Sequence, residues 1–248
     1  MDGTIAVIEA RAGEVCRRKL ERRLGGKSLL EWVVRRLGES ARLDQVVVAL
    51  DDEFDAGRIA DLVPRGVPVF RHRGDWLARY AALAQAHPCQ ALVRVAAVHP
   101  LIDATLIDRL IAAADAHPSC DYISYRSGQS RAVILSALGM FAEWCRVSAL
   151  LRADQQAAHA ADRQQATRYL YAHPEHFSTR LLTAPAPLDR ADLRLTVEHD
   201  EDWDHLETIF EALGFDRLDW QQITDFLDHQ PRMRARMADL NLRHLGAA

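Results

Sequence analysis

Cysteine is scarce: Cys16, Cys89, Cys120 and Cys145 are all the chain has, and no two of them form a CxxC pair. That spacing excludes a disulfide framework and a zinc knuckle and leaves reduced thiols in a cytoplasmic protein as the expectation. Excess positive charge is also missing. Lys and Arg number 31 against 35 Asp and Glu, for a formal net charge of −4, whereas a general nucleic-acid binder carries a net basic face. No apolar run approaches the ~20 residues that span a bilayer, so no membrane partner is expected. A strand-like run starts at Ile5 and leaves no signal-peptide layout ahead of it. Repeats and low-complexity linkers are absent too, and the 248 residues are expected to form one domain over 1–248. Nor is there a Walker loop or a dinucleotide fingerprint. Gly13 stands alone, and Gly25-Gly26 precede Lys27 without the required upstream glycine.

What is present is an alternation of apolar strand-length runs and helix-like segments. Ile5–Ile8 is β-branched and short, Gln45–Leu50 reads as a buried strand, and Val67–Phe70 as a third that Pro68 places near an edge. Ala91–Val95 is the clearest strand in the chain. Between these runs lie helical patterns from Ser28 to Gly38, around Ala56–Leu62, over Asp75–Ala86 and over Thr105–Ala114. Later segments predict strands at Tyr122–Tyr125, Ala132–Leu135, Gly139–Trp144 and Leu193–Val197. They also predict a turn at Ser127–Ser130, a long helix from Ser148 to Tyr171, and helices over Trp203–Leu213 and Trp220–His229. Such alternation implies an α/β fold, a mainly parallel sheet with helices on both faces.

In an open sheet of that kind, ligands bind at the carboxyl ends of the strands. The stretch from Glu9 to Glu21, expected as a loop, leaves the first strand there. With the residues up to Lys27 it carries Arg11, Arg17, Arg18, Lys19, Arg22, Arg23 and Lys27 against only Glu14 and Glu21. A cationic loop beside a helix N-terminus suits a phosphate; a solvated surface loop is the alternative. Asp51-Asp52-Glu53 after the second strand reads either as a metal cluster or as the acidic first turn of a helix. His87 and His117 each precede a proline at a helix end, and a capping role suffices for them. Cys16, among arginines, is the one thiol whose surroundings suggest a lowered pKa.

Taken in order, these pieces resemble the cytidylyltransferases that activate acidic sugars, above all the branch named for spore coat polysaccharide biosynthesis. The acylneuraminate and 3-deoxy-manno-octulosonate enzymes are more distant relatives. The matching residues are Ala10-Arg11, Lys19 to Leu30, Val67 to Arg71 and Arg79-Tyr80 in the first third. Val93-Arg94-Val95 with Pro100 to Asp103, Gly139, Glu143, Thr167, Tyr169, Pro174 and Phe177 follow, and Arg194 to Val197 with Glu201-Asp202 closes the series. The resemblance implies a nucleotide-diphospho-sugar-transferase-like, Rossmann-like fold with a small β excursion over residues 121–147 that helps to build a homodimer, with Met140 and Trp144 as apolar contacts. It implies nucleotidyl transfer, in which a sugar hydroxyl attacks the α-phosphate of CTP with Mg2+ neutralising the developing charge. Carried over residue by residue, Lys19 and Arg17 would be catalytic, and Arg11, Gly13, Arg17, Lys19 and Asp51 would bind the nucleotide. Arg94 and Glu143 would face the acceptor, and Glu198 would hold the metal.

The departures from the family pattern gather in one pocket. Val98 stands where the aspartate after the central strand belongs, with Ala96 replacing a threonine, and Glu198 replaces the closing aspartate. Cys16-Arg17-Arg18 replaces Leu-Pro-Gly, Phe141 an aspartate, and Gln164-Gln165 a Glu-His pair. Valine cannot ligate Mg2+; His99 and His199, beside the two altered positions, read as ordinary loop histidines at the mouth of a cleft, the alternative being a site for zinc or manganese. Two functions therefore stand side by side. One is CTP-dependent transfer to a sugar acid or similar small acid in surface-polysaccharide or glycoconjugate biosynthesis. The other is a catalytically silent subunit that binds a ligand or a partner protein.

Overall fold

The computed structural model describes residues 3–11, 13–51, 56–128, 132–133, 136–215 and 218–246, without the side chains of 244–246. Its centre is β1 (Thr4–Ala10), buried along its whole length. Alternation sends Ile5 and Val7 to one face of the sheet and Ala6, Ile8 and Ala10 to the other, each into its own apolar core. A strand covered on both faces belongs in the interior of a parallel sheet. Accordingly β1 pairs in parallel with β4 (Gln45–Asp51) on one side and β6 (Ala91–Ala96) on the other. The sheet has seven strands in the order β5-β4-β1-β6-β8-β7-β9. β5 is Val69–His72, β7 Tyr122–Arg126, β8 Glu143–Arg146 and β9 Thr179–Thr183. β8 alone runs antiparallel, to both β6 and β7. Pro68 stands directly before β5, which is an edge strand as expected.

The helices follow local signals. α1 (Glu14–Glu21) is followed by a two-stranded hairpin, β2 (Arg23–Leu24) and β3 (Lys27–Ser28), and then by α2 (Leu29–Leu37). Ser28 and Glu31 form a capping box at the start of α2, and Arg35 and Arg36 complement the dipole at its end. α3 is Ala56–Ala60. α4 (Trp76–Ala86) is capped by Asp75, which accepts from Ala78 N at 2.9 Å. α5 (Ala104–Ala116) is capped by Asp103, which accepts from Thr105 N at 2.9 Å and Leu106 N at 3.1 Å. The other oxygen of Asp103 accepts from Trp220 N at 3.0 Å, joining α5 to α10 (Trp220–Asp228). α9 (Asp200–Leu213) and α11 (Pro231–Gly246) complete the carboxyl-terminal part. No described helix is long and apolar enough to cross a membrane.

Several expectations are corrected. The Glu9–Glu21 stretch is not one loop: it is the end of β1 and then α1, whose Glu14–Arg18 and Arg17–Glu21 pairs lie one turn apart. The segment Gly139–Trp144 becomes a strand only from Glu143. Leu193–Val197 is no strand, because its N–H groups bond to loops: Leu195 N to Ala137 O at 2.9 Å and Val197 N to Val98 O at 2.9 Å. The long helix from Ser148 to Tyr171 is broken into α6 (Val147–Gln156), α7 (Ala160–Arg163) and α8 (Arg168–Ala172). β9 and α11 were not anticipated. Met140 and Trp144 lie in the chain's own core and are not surface contacts for a second copy. Of the Ser127–Ser130 turn and the 132–135 run, residues 129–130 and 134–135 lie outside the described residues; Ala132 bridges Arg126.

Candidate functional site

After β1 the chain builds β4 and β5 to one side of it and then crosses to β6 on the other, so β1 borders the point where strand order reverses. A crevice opens at the carboxyl ends of the strands at such a point. Glu9 and Ala10 end β1 there and Arg11 follows, Asp51 ends β4, and Ala96 ends β6 with Val98 and His99 just beyond it.

The basic residues of the first loop are divided by their partners. Gly13 caps α1 with φ at +117°, a conformation that favours glycine, and a Cβ there would meet open space. As a glycine it offers the helix N-terminus no side-chain cap. Arg17 is drawn along the helix to Glu21, reaching both carboxylate oxygens at 2.7 Å. Arg18 pairs with Glu14. Arg22 reaches Asp200 at 2.8 Å while lying 4.2 Å over the Trp203 ring, which ties the end of α1 to α9. Lys19 is half-buried and forms no ion pair among the described residues. Arg11 is exposed, 3.2 Å from Glu9 and 5.7 Å from the Trp76 ring. Cys16 is corrected: burial pushes its thiol pKa up despite nearby Lys19, so it is no ready thiolate. Asp51 stands opposite His72 in the β4–β5 register; Asp52 and Glu53 lie outside the described residues.

The acceptor-side pair expected from the sequence does come together, with a third member. Arg94 donates from Nε to Glu9 at 2.6 Å and from Nη1 to Glu143 at 2.6 Å. The side chains of Glu9, Arg94 and Glu143 are 3%, 12% and 0% exposed, so this is an interior network rather than a surface ion pair. Burial opposes the Arg94 charge, but Glu9 and Glu143 outweigh it and hold its pKa well above the ordinary arginine value. Glu143 also accepts from Tyr122 Oη at 2.5 Å and from Thr167 Oγ1 at 3.0 Å. Glu9 went unrecognised, although a lone carboxylate on the Ile5/Val7 face of an apolar strand is a visible signal. Gly139 has a packing reason: at φ +65° its Cβ would lie 2.7 Å from the Leu195–Thr196 backbone.

The two altered metal positions are neighbours. The Val98 carbonyl accepts from Val197 N at 2.9 Å and Thr196 Oγ1 at 3.4 Å, which brings Glu198 beside Val98. Glu198 turns back to Arg194, with Nη2–Oε2 at 3.0 Å. Arg194 is fully buried and grips Asp202 through Nε at 2.7 Å and Nη2 at 3.1 Å. His199 begins α9 with its N–H on Asp202, 2.9 Å away. His99 lies against Arg94 and Glu9; burial, then Arg94, lowers its pKa to about 4. No group of three or more His, Cys, Asp or Glu that could hold a metal ion occurs among the described residues. With valine at one position and the glutamate paired to a guanidinium at the other, the residues present do not fit a divalent cation.

The chain is similar to several known proteins. The chain is 28% identical over 233 residues to an uncharacterized protein of Methanocaldococcus jannaschii, covering 93% of this chain and 92% of that protein. It is 26% identical over 223 residues to the spore coat polysaccharide biosynthesis protein SpsF of Bacillus subtilis, covering 86% and 89%. A cytidylyltransferase from Leptospira borgpetersenii shares the fold at TM-score 0.82 and 22% identity, over 94% of this chain and 97% of that one. So does a CMP:2-keto-3-deoxy-manno-octonic acid synthetase solved with CTP, at TM-score 0.61 and 15% identity over 85% and 99%. A Mycobacterium tuberculosis protein solved with manganese, Rv0371c, follows at 0.55 and 16% over 83% and 98%. The family model for cytidylyltransferases matches residues 5–226, and the chain belongs to the cytidylyltransferase family.

Proposed function

We propose that this chain keeps the nucleotide-binding crevice of its family and lacks the metal-assisted transfer step. The observation that carries the reading is the Arg194–Glu198 ion pair beside Val98. The one carboxylate retained at the family's metal positions is turned to Arg194, a cation it shares with Asp202, and its partner position has no side-chain ligand. A cytidine nucleotide remains the expected ligand. Its phosphates would meet Lys19, Arg11 and the bare N-terminus of α1 at Gly13, while Asp51 would border the base. Arg17, engaged by Glu21, would contribute field rather than direct contact.

A second reading is favoured by Lys19, which has no ion-pair partner among the described residues. There the chain transfers CMP from CTP to a sugar acid in surface-polysaccharide or glycoconjugate biosynthesis, with Lys19 and Arg17 as the catalytic cations. The two separate in one assay, pyrophosphate release from CTP with Mg2+ or Mn2+ across a panel of sugar acids. The proposal expects CTP binding without release above background. Metal-dependent turnover that Lys19→Ala abolishes would establish the second reading instead. A homodimer in the cytoplasm is the proposed setting, checked by light scattering.

A further inference from the structure

The β5–α4 connection reaches the same sheet edge as the first loop. β5 ends at His72 and α4 begins at Trp76, so the start of α4 stands at the carboxyl edge, where Arg11 follows β1. Two guanidinium groups lie over the Trp76 ring: Arg79 at 4.1 Å from its centroid and Arg11 at 5.7 Å. They differ in freedom. Arg79 is 2% exposed and pinned to the loop before α4, donating from Nε to His72 O at 3.0 Å and from Nη2 to Gly74 O at 3.0 Å. One turn along the helix from Trp76, it fixes the buried ring against that loop. Tyr80 packs edge-on against the same ring, with centroids 6.4 Å apart. The Arg11 side chain, in contrast, is 56% exposed. A long exposed side chain loses rotamer freedom when it grips a ligand, and that loss weakens binding unless something orders it beforehand. One Glu9 oxygen accepts from Arg11 at 3.2 Å, while the other is taken by Arg94 at 2.6 Å. The Trp76 face gives Arg11 a second hold. Unlike a carboxylate, a ring face does not compete with a phosphate for the N–H donors of the guanidinium.

We propose that Trp76, fixed by Arg79, is a positioning residue for the nucleotide: it holds the Arg11 guanidinium ready for a phosphate without occupying its N–H donors. The inference rests on the reading that Arg11 meets the phosphates of a cytidine nucleotide. Losing the ring face returns to Arg11 the freedom of one exposed side chain, which corresponds to about a three- to tenfold loss of CTP affinity.

The test measures CTP binding to the full chain by calorimetry, in a double-mutant cycle of Arg11→Ala and Trp76→Met. Methionine is apolar and flexible enough to fill the site, so Trp76→Met should weaken CTP by about three- to tenfold. Trp76→Phe keeps a ring face and should hold the loss within about twofold. In the Arg11→Ala background Trp76→Met should change affinity less than about twofold, because the side chain it positions is gone. A purely structural role would weaken CTP equally in both backgrounds; that result, or unaltered affinity in Trp76→Met, would overturn the inference. Should Trp76→Met not fold, fluorine NMR of the chain carrying 5-fluorotryptophan decides, since there the only substitution tested is at exposed Arg11. Arg11→Ala should shift the Trp76 resonance, assigned through Trp76→Phe, and CTP should move the same resonance in the unaltered chain. A Trp76 resonance indifferent to both would sink the proposal. Absence of CTP binding to the unaltered chain would overturn the reading beneath it, and the inference with it.

Discussion

Replacing Arg94 with methionine strands two carboxylates, Glu9 and Glu143, in the interior with no cation between them. Their side chains are 3% and 0% exposed in the native chain, so water offers little relief. Removing one partner of a buried pair typically costs about 3–5 kcal/mol, because the remaining charge is uncompensated. Tyr122 and Thr167 still donate to Glu143, which places the expected loss toward the lower end, about 3 kcal/mol. In a chain of this size that corresponds to a fall in Tm of roughly 6–12 °C. Urea denaturation followed by circular dichroism measures it directly, with an unchanged m value as the sign that the same surface is exposed. Arg94→Met combined with Glu9→Gln and Glu143→Gln removes the stranded charges together and should recover part of the loss. A single-variant cost below about 1 kcal/mol, or a triple variant less stable than the single one, would refute the view that charge compensation organises this part of the core.

Other outcomes follow from the same coordinates. His99 has a folded-state pKa near 4 against an ordinary 6.5, so it contributes stability above pH 6.5 that is lost as pH falls through that window. The loss should be about 2–3 kcal/mol by pH 4, and His99→Gln should flatten that part of a stability–pH profile. Gly139→Ala forces both a positive φ and a 2.7 Å approach to the Leu195–Thr196 backbone. A loss of about 2–4 kcal/mol is expected, with faster hydrogen exchange over 193–198. Lys19→Ala should weaken CTP about five- to tenfold by calorimetry, whereas Arg18→Ala, paired with Glu14 at the surface, should change it less than threefold.

Strands that carried their own pattern were legible. β1, β4 and β6 are apolar runs whose neighbours and ends could be read from period and turn residues, and the edge position of β5 followed from Pro68. Leu193–Val197 misled for a physical reason: its alternation serves a buried arginine that reaches Asp202, not a sheet. β9 was missed because most of its residues are exposed, so burial leaves no imprint on its composition. The pairing of Arg94 with Glu143 was inferable only from resemblance, since the two lie 49 positions apart and meet through strand register. Glu9 completes the set by that same register, opposite Ala96 on β6 and on the face that carries Arg94. The Arg194–Glu198 pair is spaced for i,i+4 contact, yet nothing in the sequence says that Glu198 turns back to Arg194.

The most direct measurement is calorimetric titration of CTP into the purified protein with and without Mg2+. A crevice that binds nucleotide through Lys19, Arg11 and the α1 N-terminus, with Glu198 held by Arg194, should bind CTP with the same affinity within about twofold in both conditions. Binding strengthened tenfold or more by the metal, or no binding in either condition, would contradict it.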